Sequence, residues 1–159
     1  MDRMERTLVF LKPDAALRRL VGEIIGRFER KGFSIVGLKM LRLSEEFARG
    51  HYAAHRGKEF YEPLVRYITS GPVVAMVLEG KDAVAVVRRM LGQTFGSASP
   101  PGTIRGDLAL SNRFNLVHAS DSPEAAEREI GAFFGAEELV EYPEDAIRWI
   151  YDMSGPEPV

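Results

Sequence analysis

The 159-residue chain contains no cysteine, which excludes disulfides, thiol chemistry and cysteine-based zinc sites. No apolar run approaches the roughly 18 residues that a membrane-crossing helix requires. The opening residues, Met1-Asp2-Arg3-Met4-Glu5-Arg6, lack the apolar segment of a secretory signal, so the expected location is the cytoplasm. Net charge is also scarce. The 21 Lys+Arg against 23 Asp+Glu leave −2, which argues against a general nucleic-acid surface. Two familiar phosphate-binding signatures are missing. There is no G-x-G-x-x-G, and the nearest approach to a P-loop, Gly32 to Lys39, has Leu38 where lysine is required and lies within an expected strand.

What is present is a globular composition, 45% hydrophobic and 28% charged. The length suits one domain that buries about 68–70% of the surface of its unfolded chain. Thr7 to Leu11 is a nearly continuous apolar run, as for a central strand covered on both faces, and Pro13 ends it. Val21, Ile24, Ile25 and Phe28 recur at helical spacing up to Lys31-Gly32. Phe33 to Leu43 reads as a second strand, with Phe33, Ile35 and then Leu38 and Met40 alternating inward. Ser44 caps a helix that ends before Gly57, and a further helix is expected from Glu59 to Thr69. Val73 to Leu78 forms a third buried strand, and Asp82 to Leu91 a helix stopped by Gly92.

Gln93 to Gly106 has no apolar period and is expected to be a long loop, a feature that is usually functional or disordered. Leu116 and Val117 then form a short strand. Ser122 and Pro123 open a helix from Glu124 to Phe134, with Asp121 and Glu124 an alternative capping register, and Gly135 closes it. The order predicts an α/β (α+β) fold with a ferredoxin-like βαββαβ core: a four-stranded antiparallel sheet with helices packed on it. Residues 1–152 are expected to form this single domain. Ile147 to Tyr151 makes a short amphipathic end piece, and the 153–159 tail is expected to fray.

Several side chains stand out within this frame. His118 lies between the last strand and the helix that follows, where helix N–H groups favour an anion. Lys12 ends a buried strand, a place where a lysine either snorkels to water or serves a ligand. Arg88 lies on the helix before the long loop, and Arg105 lies between Gly102 and Gly106. His51 and His55 are four apart, as a metal pair can be, but the intervening Tyr52-Ala53-Ala54 lacks a zincin glutamate. Packing or surface histidines are therefore the expectation there.

Six stretches together carry a family resemblance. They are Thr7 to Asp14, Val21 to Ile25, Lys31-Gly32-Phe33, Ser70 to Val77, Pro101 to Asp107, and Asn115 to Ser122. The chain resembles the nucleoside diphosphate kinases from about residue 5 to 152. The resemblance implies a γ-phosphoryl transfer from a nucleoside triphosphate, typically ATP, to a nucleoside diphosphate. It implies a ping-pong mechanism through phospho-His118. Lys12, Arg88, Thr94, Arg105 and Asn115 match groups that hold phosphates and ribose, and Tyr52 matches a tyrosine near the histidine. Phe60 matches the aromatic that stacks on the base, Glu129 the carboxylate that orients the histidine, and Ser120 the neighbouring hydroxyl. No protein-held metal is implied; Mg2+ comes on the nucleotide phosphates. Assembly as a homo-oligomer, hexamer or tetramer, is implied as well.

The chain departs from the usual pattern at Phe95-Gly96, Pro100, Asn112-Arg113-Phe114 and Ala119. Those at Phe95, Gly96, Asn112, Arg113 and Ala119 raise the alternative of a nucleotide-binding regulatory module with little or no turnover.

Overall fold

In the computed structural model, residues 4–142 and 146–159 are described. Strands β1 (Glu5–Leu11), β2 (Ser34–Leu41), β3 (Val73–Gly80) and β4 (Val117–Ala119) form one sheet in the order β2-β3-β1-β4. Every neighbouring pair is antiparallel. Helices α1 (Pro13–Leu17) and α2 (Val21–Lys31) join β1 to β2; α3 (Glu45–His51) and α4 (Tyr61–Thr69) join β2 to β3. Then α5 (Ala83–Leu91) and α6 (Ile104–Leu108) lead to β4, followed by α7 (Pro123–Phe133) and α8 (Ile147–Ile150). This is the expected ferredoxin-like arrangement.

The central strands β1 and β3 are apolar on both faces because both faces are covered. Val9, Leu11, Val74, Met76 and Leu78 pack with Ile24 and Phe28 of α2 and Val87 and Leu91 of α5. Leu8, Phe10, Ala75 and Val77 pack on the opposite face with Ala48 of α3, Val65 and Ile68 of α4 and Phe133 of α7. Cap chemistry sets several helix limits as expected. Gly32 ends α2 at φ +109°, Ser44 accepts from Phe47 N–H, and Ser122 accepts from Ala125 N–H. With Ser122 as the cap, the Asp121/Glu124 register is not used.

The structure departs from the expectations in several places, among them α3, which ends at His51 and gives way to a 3₁₀ turn at Ala53–His55. The pairing of β2 with β3 shifts between Ile35 and Gly37, so Val36 is an extra residue and turns into the second core face. Beyond it Leu38 and Met40 return to the first face, yet they stay 52% and 64% exposed on an edge strand that the described helices do not cover. The expected loop from Gln93 contains a short 3₁₀ turn at Gly96–Ala98, and α6 begins at Ile104, capped by Thr103, so Arg105 is helical. The strand expected at Leu116-Val117 instead starts at Val117 and includes His118. Leu116 has φ +70°, and Val117 N–H bonds Asn115 C=O at 2.8 Å, a tight turn that a side-chain-bearing residue seldom adopts. Finally, the 153–159 segment folds back. Asp152 and Val159 exchange backbone hydrogen bonds of 3.0 and 3.1 Å, and Lys81 Nζ donates to Pro158 C=O.

Candidate active site

The register of β4 on β1 places the site. His118 lies directly opposite Phe10, so its side chain points to the α3/α7 side of the sheet while Val117 and Ala119 point to the other. The imidazole stacks on the Phe10 ring at 4.7 Å between centroids. Ser120, two residues on, shares that side. From α7, the face that buries Ala126 and Phe133 also buries Glu129. Glu129 Oε1 accepts from Ser120 Oγ at 2.9 Å and lies 2.8 Å from His118 Nε2. The sequence placed His118 before a helix N-terminus, and the resemblance matched Glu129 to the carboxylate that orients it; in the structure the hydrogen bond runs to that carboxylate, two turns into the helix.

The electrostatics follow from this packing. Burial pushes the His118 pKa below its ordinary value, although Glu129 and its hydrogen bond oppose the shift. Burial also raises the Glu129 pKa, but the hydrogen bond and charge interaction with His118 outweigh it and the net shift is downward. At neutral pH the pair is therefore a neutral imidazole and a carboxylate. Nε2–H donates to Glu129, and Nδ1, which has no hydrogen-bond partner among the described residues, keeps its lone pair.

Cations gather beside it. Lys12 is buried rather than snorkelling, and its Nζ donates to Asn115 Oδ1 at 2.7 Å. Burial, helped by the nearby Arg105 charge, brings the Lys12 pKa down to about 7. Arg105 is also buried, and its three nitrogens donate to Asn115, Gln93 and Val117 C=O at 3.1, 3.0 and 2.5 Å. Burial and Arg88 lower its pKa to about 10, so it stays charged. Arg88 is exposed, with Nη1 donating to Ala119 C=O at 3.2 Å. Asn115 Nδ2 donates to Thr94 C=O at 2.9 Å, and the Thr94 side chain is exposed.

The aromatic wall is less direct. Tyr52 is buried with its hydroxyl unpartnered among the described residues, and burial raises its pKa. Its ring meets His51 edge-on at 4.7 Å. Phe60, 43% exposed at the start of α4, touches the His55 ring at 5.2 Å, and His55 in turn stacks on Tyr52. Phe60 thus borders the cluster through His55 rather than touching His118.

Three participants, Phe10, Asp14 and Tyr67, escaped the sequence reading, and a fourth, His51, was read only as a packing or surface histidine. Phe10 was read only as core; its partner emerges only from the β1/β4 register. Asp14 accepts from the Tyr67 hydroxyl and from Leu116 N–H, clamping the turn before β4. His51 is half-buried against His118 at 5.0 Å rather than paired with His55. The only forward signal for these residues is that Asp14 and Tyr67 belong to segments next to apolar strands.

The fold and the cluster define a class, that of antiparallel α+β proteins with a neutral imidazole set among phosphate-type cations. The family model described as nucleoside diphosphate kinase matches residues 5–139. A nucleoside diphosphate kinase of Pelotomaculum thermopropionicum is 56% identical over 94% of this chain and 100% of its own. One of Archaeoglobus fulgidus is 56% identical over 94% of this chain and 99% of its own. A halophilic nucleoside diphosphate kinase of Halobacterium salinarum, solved in complex with CDP, superposes with TM-score 0.92 at 48% identity, over 94% of this chain and 99% of the other. The chain belongs to the nucleoside diphosphate kinase family, and its activity is that of the family: a nucleotide-binding phosphotransferase that uses a divalent metal ion. Near-full-length matches at this identity support the kinase over the regulatory module. No helix among the described residues is long and apolar enough to cross a membrane.

Proposed function

We propose that His118 Nδ1 attacks the γ-phosphorus of a bound nucleoside triphosphate and that the phosphohistidine then passes its phosphoryl group to a nucleoside diphosphate. The observation that carries this is the His118–Glu129 bond at Nε2, which leaves Nδ1 as the nitrogen with a free lone pair. A neutral imidazole needs no separate base. As the N–P bond forms, the ring becomes cationic and the bond to the β-phosphate oxygen breaks, leaving the diphosphate. Glu129 stabilises the charge that develops on the ring, and Ser120 holds Glu129 in place. The second half-reaction reverses these steps onto a new acceptor, which makes the kinetics ping-pong.

Phosphoryl transfer of this kind depends mainly on positioning and neutralisation of charge. Lys12, Arg88 and Arg105 supply positive charge, and Thr94 and Asn115 supply polar contacts to phosphate and ribose. Tyr52 brings a buried hydroxyl with no partner among the described residues, which a bound water or substrate oxygen satisfies. Exposed Phe60 offers a ring face to any base, so broad base tolerance follows.

Among the carboxylates nearby, Asp14 is engaged by Tyr67 and Leu116, and Glu129 by His118 and Ser120. That arrangement fits a metal that arrives on the phosphates rather than one held in a protein cage. The ion proposed is Mg2+, which when bound neutralises phosphate oxygens.

The protein is further proposed to be cytoplasmic and to assemble as a hexamer or tetramer, with the exposed Leu38 and Met40 of the β2 edge supporting association. The test uses γ-labelled ATP and Mg2+ without acceptor. Acid-labile, alkali-stable label that GDP or CDP discharges as triphosphate is expected; wild-type exchange in His118→Ala would overturn the reading. Light scattering reads the assembly.

A further inference from the structure

His51, His118 and Glu129 bring two imidazole nitrogens and a carboxylate oxygen within 4.8 Å of one another. The three come from different elements: the last residue of α3, the middle of β4 and the inner face of α7. Nothing in the phosphoryl transfer described above requires His51 to be a histidine. Its ring packs edge-on against Phe10, Tyr52, Phe133 and His118, as a phenylalanine ring would, and it makes no hydrogen bond among the described residues. We propose that His51, His118 and Glu129 form a reversible binding site for a zinc-class transition-metal dication, and that its occupancy switches phosphoryl transfer off.

The donor set fits. Two nitrogens and a carboxylate oxygen are the ligands of three-ligand zinc sites, in which a water takes the fourth position. Mg2+ prefers oxygen ligands in octahedral geometry, so the metal on the nucleotide does not compete here. With bonds of about 2.0–2.1 Å, neighbouring ligands in a tetrahedral site lie about 3.3 Å apart. His118 Nε2 and Glu129 Oε1, 2.8 Å apart, need to part by only about 0.5 Å as the metal replaces the proton between them, so most of the adjustment falls on His51. That side chain ends a helix and has no hydrogen bond to break. Burial also brings its pKa down to about 4, which leaves the ring unprotonated and ready to ligate. The charges of Arg88 and Arg128, and of Lys12 when protonated, face the cluster and oppose a cation, and Glu129 favours it. The balance makes a regulatory site rather than a permanent structural one.

The switch follows from the tautomer. A metal at His118 Nε2 takes the place of the proton that Glu129 accepts. The neutral ring then carries that proton on Nδ1, delivered through solvent with no net release, and Nδ1 has no lone pair left for phosphorus. This consequence, unlike the binding itself, rests on His118 being the nucleophile.

The experiment titrates Co2+ alone into the intact protein without nucleotide and reads the visible absorption of tetrahedral Co2+. One equivalent per chain, displaced by Zn2+, is expected. The band is expected to be lost in His51→Gln, in His51→Phe (which keeps the ring packing) and in Glu129→Gln, and retained in His55→Gln. A band that survives in the His51 variants, or disappears in His55→Gln, overturns the site, the latter by assigning the metal to the α3 pair. In the labelling assay with excess Mg2+, Zn2+ should suppress phosphoenzyme formation. Half-suppression should require at least about tenfold more Zn2+ in His51→Phe, a weakening of about 1.4 kcal/mol. Unchanged labelling with the metal bound overturns the switch. If no label forms even without Zn2+, the phosphohistidine reading fails, while the Co2+ band still decides the site.

Discussion

Phe10 and His118 face each other across the β1–β4 pair, and their rings stack 4.7 Å apart at 20° between planes. The phenyl ring is a wall that limits how the imidazole can tilt. An aromatic pair of this kind is worth about 0.5–1.5 kcal/mol beyond burial. Phe10→Leu retains apolar volume but removes the flat face, so kcat should fall about twofold to tenfold while KM for nucleotide stays near wild type. A change confined to KM would show that the wall does not position the ring. Phe10→Ala should also lose about 3–5 kcal/mol of stability, since Phe10 is fully buried.

Glu129→Gln tests the charge on the other side of His118. The amide oxygen can still accept from Nε2–H and from Ser120, so geometry is retained and only the charge is lost. Hydrogen bonds to charged groups exceed neutral ones by about 1–1.5 kcal/mol, so the phosphorylation rate should fall about tenfold. The sign of the pH effect is also set. Glu129 raises the His118 pKa against the lowering effect of burial, so removing it lowers the pKa further. The acid limb of phosphoenzyme formation, read by rapid quench, should move to lower pH.

The contrast between Phe10 and Glu129 shows what was readable in the chain. The run Thr7 to Leu11 announced a strand covered on both faces, Ser122-Pro123 announced the start of α7, and both lie where expected. Glu129 was matched through the resemblance to the carboxylate that orients the histidine, and its side chain arrives at His118. What failed were relationships set by long-range pairing. The β4 register decides that His118 meets Phe10, and Leu116 at φ +70° moves the strand by one residue. No local propensity predicts a leucine in that conformation; Asp14 and Tyr67, 102 and 53 residues apart from their partners Leu116 and Asp14, hold it there. His51 was read against its sequence neighbour His55, four residues away on what was expected to be one helix. The helix instead ends at His51, and a 3₁₀ turn takes over from Ala53 to His55, so the i, i+4 argument did not apply.

Arg105 has a structural duty beside its charge. Its guanidinium satisfies three backbone carbonyls at once, those of Gln93, Asn115 and Val117. A lysine has one nitrogen in place of the three-nitrogen fork. Arg105→Lys therefore keeps the charge but gives up at least one of these charge-assisted bonds, worth about 1.5–3 kcal/mol, while Asn115 C=O keeps Val117 N–H and Gln93 C=O keeps the Ser99 hydroxyl. Urea unfolding should show a loss of about 1.5–3 kcal/mol. A stability within experimental error of wild type would mean that the charge alone accounts for the residue.

Lys12 gives the sharpest proton linkage. With its pKa near 7 in the free protein and about 10.4 in the unfolded chain, Lys12 binds more proton unfolded than folded between these values. Stability should therefore rise with pH from about 7 to 10, with a slope of up to about 1.4 kcal/mol per unit from this group. A phosphate beside Nζ reverses the balance by favouring the ammonium. Nucleotide binding at pH 7.5 should then take up about three quarters of a proton at this group. Calorimetry in buffers of different ionisation enthalpy measures that uptake directly. It should vanish in Lys12→Met, and an equal uptake in that variant would assign the proton to another group.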